Sequence, residues 1–205
     1  MAFNNYGNSY QRTTPIVLNL IIINALVFAA QLFFDGREAE VSARIALWPP
    51  TSPFFKPYQL VTHMFAHGGW GHILFNMFAL WSFGTLLERV WGPKKFLIFY
   101  LACGLAAGVT QMLIGGDAPS LGASGAIMGL FAAFAYLFPN TELIIFPIPV
   151  PIKAKWAVAI MGAIDLFGGV YATNSGIAHF AHLGGAAMGF ILVLIWNKTN
   201  KKTFY

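Results

Sequence analysis

A serine and a histidine in distant parts of the chain, Ser124 and His182, have the residue types of a nucleophile and its general base. A serine hydroxyl attacks a carbonyl when a base accepts its proton, and the reaction needs hydrogen-bond donors for the oxyanion that develops. His72 and Asn76 are four residues apart, so they would share one face of a helix and could both donate to such an oxyanion. The polar residues therefore predict a site for acyl transfer, with the Ser124 backbone N–H as a further donor.

Glycines accompany both halves of this candidate site. Ser124 lies in the run Gly122-Ala-Ser-Gly125, where the glycines leave room for another backbone to approach. His182 is followed by Gly185 and Gly189, whose spacing forms a face of small residues that allows two membrane helices to pack closely. His182 precedes Gly185 by about one turn on nearly the same face. We therefore expect it to be presented to the neighbouring helix.

The composition indicates that these residues are positioned by helices in a membrane. Of 205 residues, 58% are apolar and 9% are charged, whereas about a quarter are charged in ordinary soluble domains. This excludes a soluble globular protein. Five stretches contain no Asp, Glu, Lys or Arg, and each reaches the length of about 20 residues that a bilayer crossing requires: 13–34, 57–87, 96–116, 118–141 and 166–197.

The pattern predicts an all-α membrane protein with six transmembrane helices. The polar N-terminal tail is expected at 1–14, the membrane domain at 15–197, and the basic C-terminal tail at 198–205. Residues 35–58 mix charges with tryptophan and proline, which is typical of an interfacial loop. The predicted helices cover residues 15–34, 69–90, 95–114, 121–138, 156–172 and 177–196.

The cations predict the orientation, because positively charged residues accumulate on the cytoplasmic side of membrane proteins. With a cytoplasmic N-terminus, nine cations lie inside and three lie outside. Both termini are then cytoplasmic, the first loop, 35–68, is extracytoplasmic, and the candidate site lies in the outer half of the bilayer. We expect the cytoplasmic (inner) membrane of a bacterium. The inner cations are Arg12, Arg89, Lys94, Lys95, Lys153, Lys155, Lys198, Lys201 and Lys202, and the outer ones are Arg37, Arg44 and Lys56.

At these residues the sequence resembles the rhomboid family of intramembrane serine proteases. The resemblance covers nearly the whole chain and rests on four elements in order: His67-x-x-x-x-His72-x-x-x-Asn76, Glu88-Arg89 followed by Gly92, Gly122-x-Ser124-Gly125, and His182-x-x-Gly185-x-x-x-Gly189.

The resemblance implies a six-helix rhomboid-like bundle with a catalytic Ser–His dyad, Ser124 as nucleophile and His182 as general base. It implies an oxyanion hole formed by His72, Asn76 and the Ser124 N–H. The implied substrates are membrane-spanning proteins, cut near the outer face of the bilayer after local unwinding. We expect no cofactor and no metal ion.

The chain departs from the family pattern at two places. Tyr58-Gln59 stands in the first loop where many members have Trp-Arg, and Met128 stands one turn after the serine where many have Tyr. Asp165 is isolated in the fifth predicted helix. A lone carboxylate there invites a catalytic triad, but the resemblance implies a dyad, so we expect Asp165 to form a helix–helix hydrogen bond.

Three further histidines are expected to be structural. His63 and His67 are predicted to bond loop backbone and to hold the first loop against the second predicted helix. His179, one turn before His182, is expected to be a structural or rim residue.

Two other functions remain open at this point. A rhomboid-like protein could bind membrane helices without cutting them, although loss of the serine or histidine would be expected then. A metal transporter could use the histidines, since His63-x-x-x-His67 has ligand spacing on a helix. The positive charge is distributed over loops and tails, so we expect no nucleic-acid partner. The sequence leaves the oligomeric state open.

Overall fold

The computed structural model describes residues 14–36, 40–144, 150–172 and 176–199. In these ranges, five helical segments are long and apolar enough to cross a membrane. The segment Trp70–Trp91 is continuous and consists of α4 (Trp70–Ala79), a π-helical turn (Leu80–Gly84) and α5 (Thr85–Trp91). The predicted all-α membrane bundle is confirmed. The other four long helices are α1 (Pro15–Phe34), α6 (Pro93–Ile114), α8 (Ala154–Tyr171) and α9 (His179–Thr199).

The helix at the centre of the bundle, α7 (Ser124–Leu137), is shorter than the predicted 121–138 segment. Its 14 residues extend about 21 Å, which is less than the hydrocarbon core of about 30 Å. The predicted window is therefore helical over Ser124–Leu137 only, and it forms a shorter apolar helix of the bundle. Two features prevent an earlier start: Gly122 has a φ of +129°, and Ser120 pairs with Leu47 through backbone hydrogen bonds in both directions.

Three short helical pieces connect α1 to α4 and cover the site end of the bundle. They are α2 (Val41–Ile45), α3 (Gln59–Thr62) and a 3-10 turn (His63–Phe65). Gln59 anchors this loop from inside, since its buried side chain donates to two backbone carbonyls and accepts from two backbone N–H groups. The Gln59 amide thus anchors the first loop at the position where many family members have the pair Trp-Arg.

The core lies where α7 and α9 pack against each other and against α6. The aromatic side chains Phe96, Phe99 and Tyr100 of α6 are completely buried. At the opposite end from the site, the buried Glu88 carboxylate accepts hydrogen bonds from the backbone N–H groups of Ile16 and Val17, at 3.0 and 2.9 Å. These N–H groups belong to the first turn of α1 and have no partner within the helix, so Glu88 caps α1 from α5.

A small hairpin precedes α8. Strands β1 (Glu142–Ile144) and β2 (Pro151–Lys153) pair in antiparallel register, with Leu143 opposite Ile152. Pro147 and Pro149, between the two strands, lie outside the described residues. The same holds for most of the two predicted tails. The cytoplasmic location of the termini and the domain limits stay predictions.

Candidate active site

Ser124 is the first residue of α7 and follows the N-cap residue Ala123. The first-turn N–H groups of a helix have no intrahelical acceptor, and the helix dipole adds partial positive charge there. The Ser124 backbone therefore lies where an anion is stabilised. The chain turns at Gly122 just before this helix, and Ser124 is partly buried.

The side chains of Ser124 and His182 meet across the contact between α7 and α9. The Ser124 Oγ lies 2.8 Å from the His182 Nε2, a distance at which the hydroxyl donates a hydrogen bond to an unprotonated imidazole nitrogen. The predicted glycine face is present: a Cβ at Gly185 would overlap the carbonyl oxygen of Gly125, and one at Gly189 would be 2.5 Å from that of Gly129. The two backbones therefore approach closely enough to bring the side chains together.

His72 approaches the same place from α4. Its Nδ1 accepts a hydrogen bond from the Gly68 N–H at 3.3 Å, so the ring proton is on Nε2. That Nε2 would be 2.8 Å from a Cβ at Gly122, and the same Cβ would be 3.6 Å from the Ser124 Oγ. Only a glycine leaves room for the imidazole here, which places an N–H donor beside the serine.

Asn76 lies one turn further along α4, on the face that carries His72, and is buried. Its amide Nδ2 has no protein acceptor in the described part of the chain. A buried donor without a partner costs free energy, and such groups call for a functional reason. Asn76 therefore offers a donor whose hydrogen bond is still to be made.

Asp165 of α8 contacts two histidines of α9. Its Oδ1 accepts hydrogen bonds from the Nδ1–H of His182 at 2.9 Å and from the Nδ1–H of His179 at 2.8 Å. The expected helix–helix hydrogen bond is confirmed, and one of its two donors is the candidate base itself. The sequence signal was a single carboxylate in an apolar helix. Its partner could not be identified because the angle between α8 and α9 is set by packing.

The prediction that the first-loop histidines bond loop backbone is confirmed for the His63 side chain, whereas the ring nitrogens of His67 have no protein partner among the described residues. His63 donates from Nδ1 to the Gln59 carbonyl at 2.8 Å, and its own carbonyl accepts from the Gly122 N–H at 2.8 Å. The backbone of His67 is bound in both directions by the side chain of Gln31 on α1, at 3.0 and 3.1 Å. Sequence reasoning missed Gln31, whose only signal was an amide near the end of an apolar helix.

Both loop histidines are held neutral by their surroundings. Burial lowers the pKa of His63, and burial together with the nearby His72 lowers the pKa of His67 to about 4. His63 and His67 do not lie one turn apart on a helix, as a metal site with their spacing would require, because the 3-10 turn ends at Phe65 and Ala66 is extended. Among the described residues, no group of three or more His, Cys, Asp or Glu side chains could hold a metal ion.

The fold defines a class of protein: an integral, multi-pass α-helical membrane protein with a serine and an imidazole in contact inside the bundle. Comparison with known proteins gives the family. Residues 55–198 match the Rhomboid domain, and the chain belongs to the rhomboid family, as its motifs predict.

Curated relatives agree with this assignment. Rhomboid protein 1, mitochondrial, of Saccharomyces cerevisiae is 34% identical over 64% of this chain and 40% of its own length. Rhomboid protease GluP of Bacillus subtilis is 34% identical over 88% of this chain and 35% of its own length. Rhomboid-like protein 11, chloroplastic, of Arabidopsis thaliana is 30% identical, with shares of 87% and 64%. The chain thus spans less than two thirds of each of these relatives.

Proposed function

We propose that this protein is a serine endopeptidase that cleaves membrane-spanning segments of other membrane proteins. One observation carries the proposal: the Ser124 hydroxyl and the His182 Nε2 are 2.8 Å apart, at the N-terminus of a helix that begins inside the bundle. A nucleophile within hydrogen-bond reach of a base is the signature of covalent acyl transfer. Membership of the rhomboid family and the relative named as a protease support it.

Ser124 and His182 form the catalytic dyad. As the Ser124 Oγ bonds to the scissile carbonyl carbon, its proton passes to the His182 Nε2 and the carbonyl π electrons move to the oxygen. When the C–N bond breaks, the imidazolium returns that proton to the leaving amine. A water molecule then hydrolyses the acyl-enzyme by the same transfers.

His72, Asn76 and the Ser124 N–H form the oxyanion hole. The protonated Nε2 of His72 faces the serine side, and the Asn76 amide carries an unused donor. In a region of low dielectric, donors that are already oriented stabilise the developing charge without reorganisation.

The location of the dyad supports membrane-spanning proteins as substrates. Ser124 lies within an apolar bundle but at the end covered by the first loop, so a membrane-spanning helix would reach it sideways and expose its peptide bond by local unwinding. With the orientation indicated by the cations, that end faces the outer side, and both termini are cytoplasmic. The expected bacterial inner membrane is not supported by the comparisons, since relatives are named as mitochondrial and chloroplastic.

The test is cleavage of a reporter membrane helix by the purified protein in proteoliposomes. Ser124→Ala and His182→Ala should each abolish cleavage. A fluorophosphonate should label the unaltered protein at Ser124 and should not label Ser124→Ala. Ser82→Ala is the matched control, since Ser82 is exposed in the π-helical turn away from the site. Mass spectrometry of the fragments locates the cut.

Two results would overturn the proposal. Cleavage by Ser124→Ala at the rate of the Ser82→Ala control would remove the nucleophile. Binding of the reporter without cleavage or labelling would favour the non-catalytic function, a protein that binds membrane helices.

A further inference from the structure

The carboxylate of Asp165 lies between two imidazoles of α9. The side chain is 9% exposed, and a single oxygen, Oδ1, accepts from the Nδ1 atoms of both His179 and His182. The ion pairs found for Asp165 in the described residues are these two. A charged side chain at membrane depth is costly and marks a functional position.

A purely structural helix–helix bond would need only His179. The contact with His182 also determines the tautomer of that histidine. A neutral imidazole carries one proton, on Nδ1 or on Nε2, and a hydrogen-bond acceptor beside one nitrogen favours the proton on that nitrogen. A carboxylate oxygen at Nδ1 keeps the proton there. The Nε2 lone pair is then directed at the Ser124 hydroxyl, 2.8 Å away.

The position of Asp165 is set by a close contact between α8 and α9. One turn later on α8, a Cβ at Gly168 would be 2.5 Å from the His179 ring, and a Cβ at Gly169 would be 3.0 Å from the Phe180 ring. Gly162, one turn earlier, has open space around it. The helix therefore approaches α9 closely where the carboxylate meets the imidazoles.

We infer that Asp165 is a positioning residue of the proposed protease, which extends the Ser124–His182 pair to a serine–histidine–aspartate arrangement, with His179 holding the carboxylate in place. The inference rests on the proposed function. Asp165 acts through His182: it fixes the tautomer and ring orientation of the base, and it stabilises the imidazolium that forms when the Ser124 proton arrives at Nε2. The carboxylate stays ionised throughout, and no proton is transferred to it.

The experiment compares Asp165→Asn with Asp117→Asn, the same substitution at an exposed loop position, in the proteoliposome assay. Orienting and charge-stabilising effects on a general base amount to about 10²–10⁴-fold in rate. We expect kcat of Asp165→Asn to fall by this factor with KM nearly unchanged, and fluorophosphonate labelling to slow in parallel. A substitution that only loosened the helices would instead lower the melting temperature and raise KM.

A spectroscopic measurement reports the tautomer directly in the unaltered protein, and a variant is needed only to assign the signals. Nitrogen-15 NMR of histidine-labelled protein at neutral pH should show His182 protonated on Nδ1, and the spectrum of His179→Gln distinguishes its signal from that of His179. His182 protonated on Nε2 would overturn the inference.

Kinetics can overturn it as well. If Asp165→Asn had the same kcat as the Asp117→Asn control, the inference about Asp165 would be overturned. If Ser124→Ala were still inactive in that case, the proposed function would stand. Cleavage by Ser124→Ala would instead remove the proposed function itself.

Discussion

The two interfaces of α9 are built from different interactions. Against α7, α9 presents Gly185 and Gly189, and backbone meets backbone at Gly125 and Gly129. Against α8, it presents imidazoles that bond the carboxylate of Asp165.

The two helices that pack against α9, α7 and α8, also differ in how deeply they are buried. Ten of the fourteen residues of α7 are buried, whereas the buried residues of α8 are Ala154, Ala157, Asp165 and Gly169. Large apolar side chains of α8, among them Ile164 and Phe167, are exposed to the surroundings. The serine and histidine are thus held by close van der Waals packing, while the carboxylate sits on a peripheral helix held in part by hydrogen bonds.

The glycine interface should show the largest effect when broken. A Cβ at Gly185 would overlap a backbone carbonyl, which cannot move aside as a flexible side chain could. We expect Gly185→Ala to lower the free energy of unfolding by about 3 kcal/mol and to abolish cleavage. The measurements are thermal unfolding in detergent and reporter cleavage. Gly162→Ala on α8 is the control, and equal melting temperatures for the two variants would contradict the description of this interface.

The proposed oxyanion donors on α4, His72 and Asn76, should come next, because in that role they act on the reaction and not on the packing. Removing one such donor costs about 2.7–4 kcal/mol in the chemical step. We expect Asn76→Ala to reduce kcat by about 10²-fold with KM unchanged, and His72→Ala to be at least as severe. Asn24→Ala is the matched control, since Asn24 is buried in α1 and bonds its own helix at Leu20.

Saturation kinetics distinguish the outcomes for α4. A kcat for Asn76→Ala equal to that of the control, together with an effect of His72→Ala confined to KM, would make this face a docking surface. The double variant should lose less than the two single losses combined if both donors bind one oxygen.

The interface between α8 and α9, which contains the hydrogen bonds of Asp165, should respond more mildly to an added methyl group. Gly168→Ala places a methyl against the His179 ring, which is the end of a side chain and can partly adjust. We expect kcat to fall about tenfold, equivalent to about 1.4 kcal/mol in the barrier, because Asp165 moves relative to His182. Gly162→Ala should retain full activity. A loss at Gly168 as complete as that at Gly185 would mean that both interfaces are equally rigid.

The smallest effect is expected in the first loop, where a buried imidazole makes stability depend on pH. The pKa of His67 is lowered from 6.5 to about 4, so the unfolded chain binds a proton below pH 6.5 that the folded protein does not. Stability is therefore lost as the pH falls from about 6.5 towards 4, by on the order of 1 kcal/mol between pH 7 and 5.5.

The variant His67→Phe should remove this loss. It keeps a ring of similar shape, and the ring nitrogens of His67 have no protein partner among the described residues. Melting temperatures between pH 7 and 5 should therefore decline less steeply in the variant, and His63 accounts for part of the remaining slope. An unchanged slope would contradict the neutral state of His67.

The sequence alone determined the membrane class, the number of helical segments and the four motifs. Apolar stretches without charges have one stable solution in a bilayer, since helices satisfy their own backbone, and the small-residue face of Gly185 and Gly189 predicted close packing beside His182. The helical spacing of His72 and Asn76 likewise placed both on one face of α4.

The tertiary structure decided where the helices begin and which distant groups meet. The start of α7 at Ser124 depends on the turn at Gly122 and on the pairing of Ser120 with Leu47, interactions that the hydropathy of residues 121–138 does not contain. The meeting of Asp165 with His182 depends on the approach of α8 to α9. Periodicity specifies which residues share a face of one helix, but the contacts between faces are fixed by packing among all the helices, and a dyad predicted from motifs thus acquired a carboxylate partner only when the chain was folded.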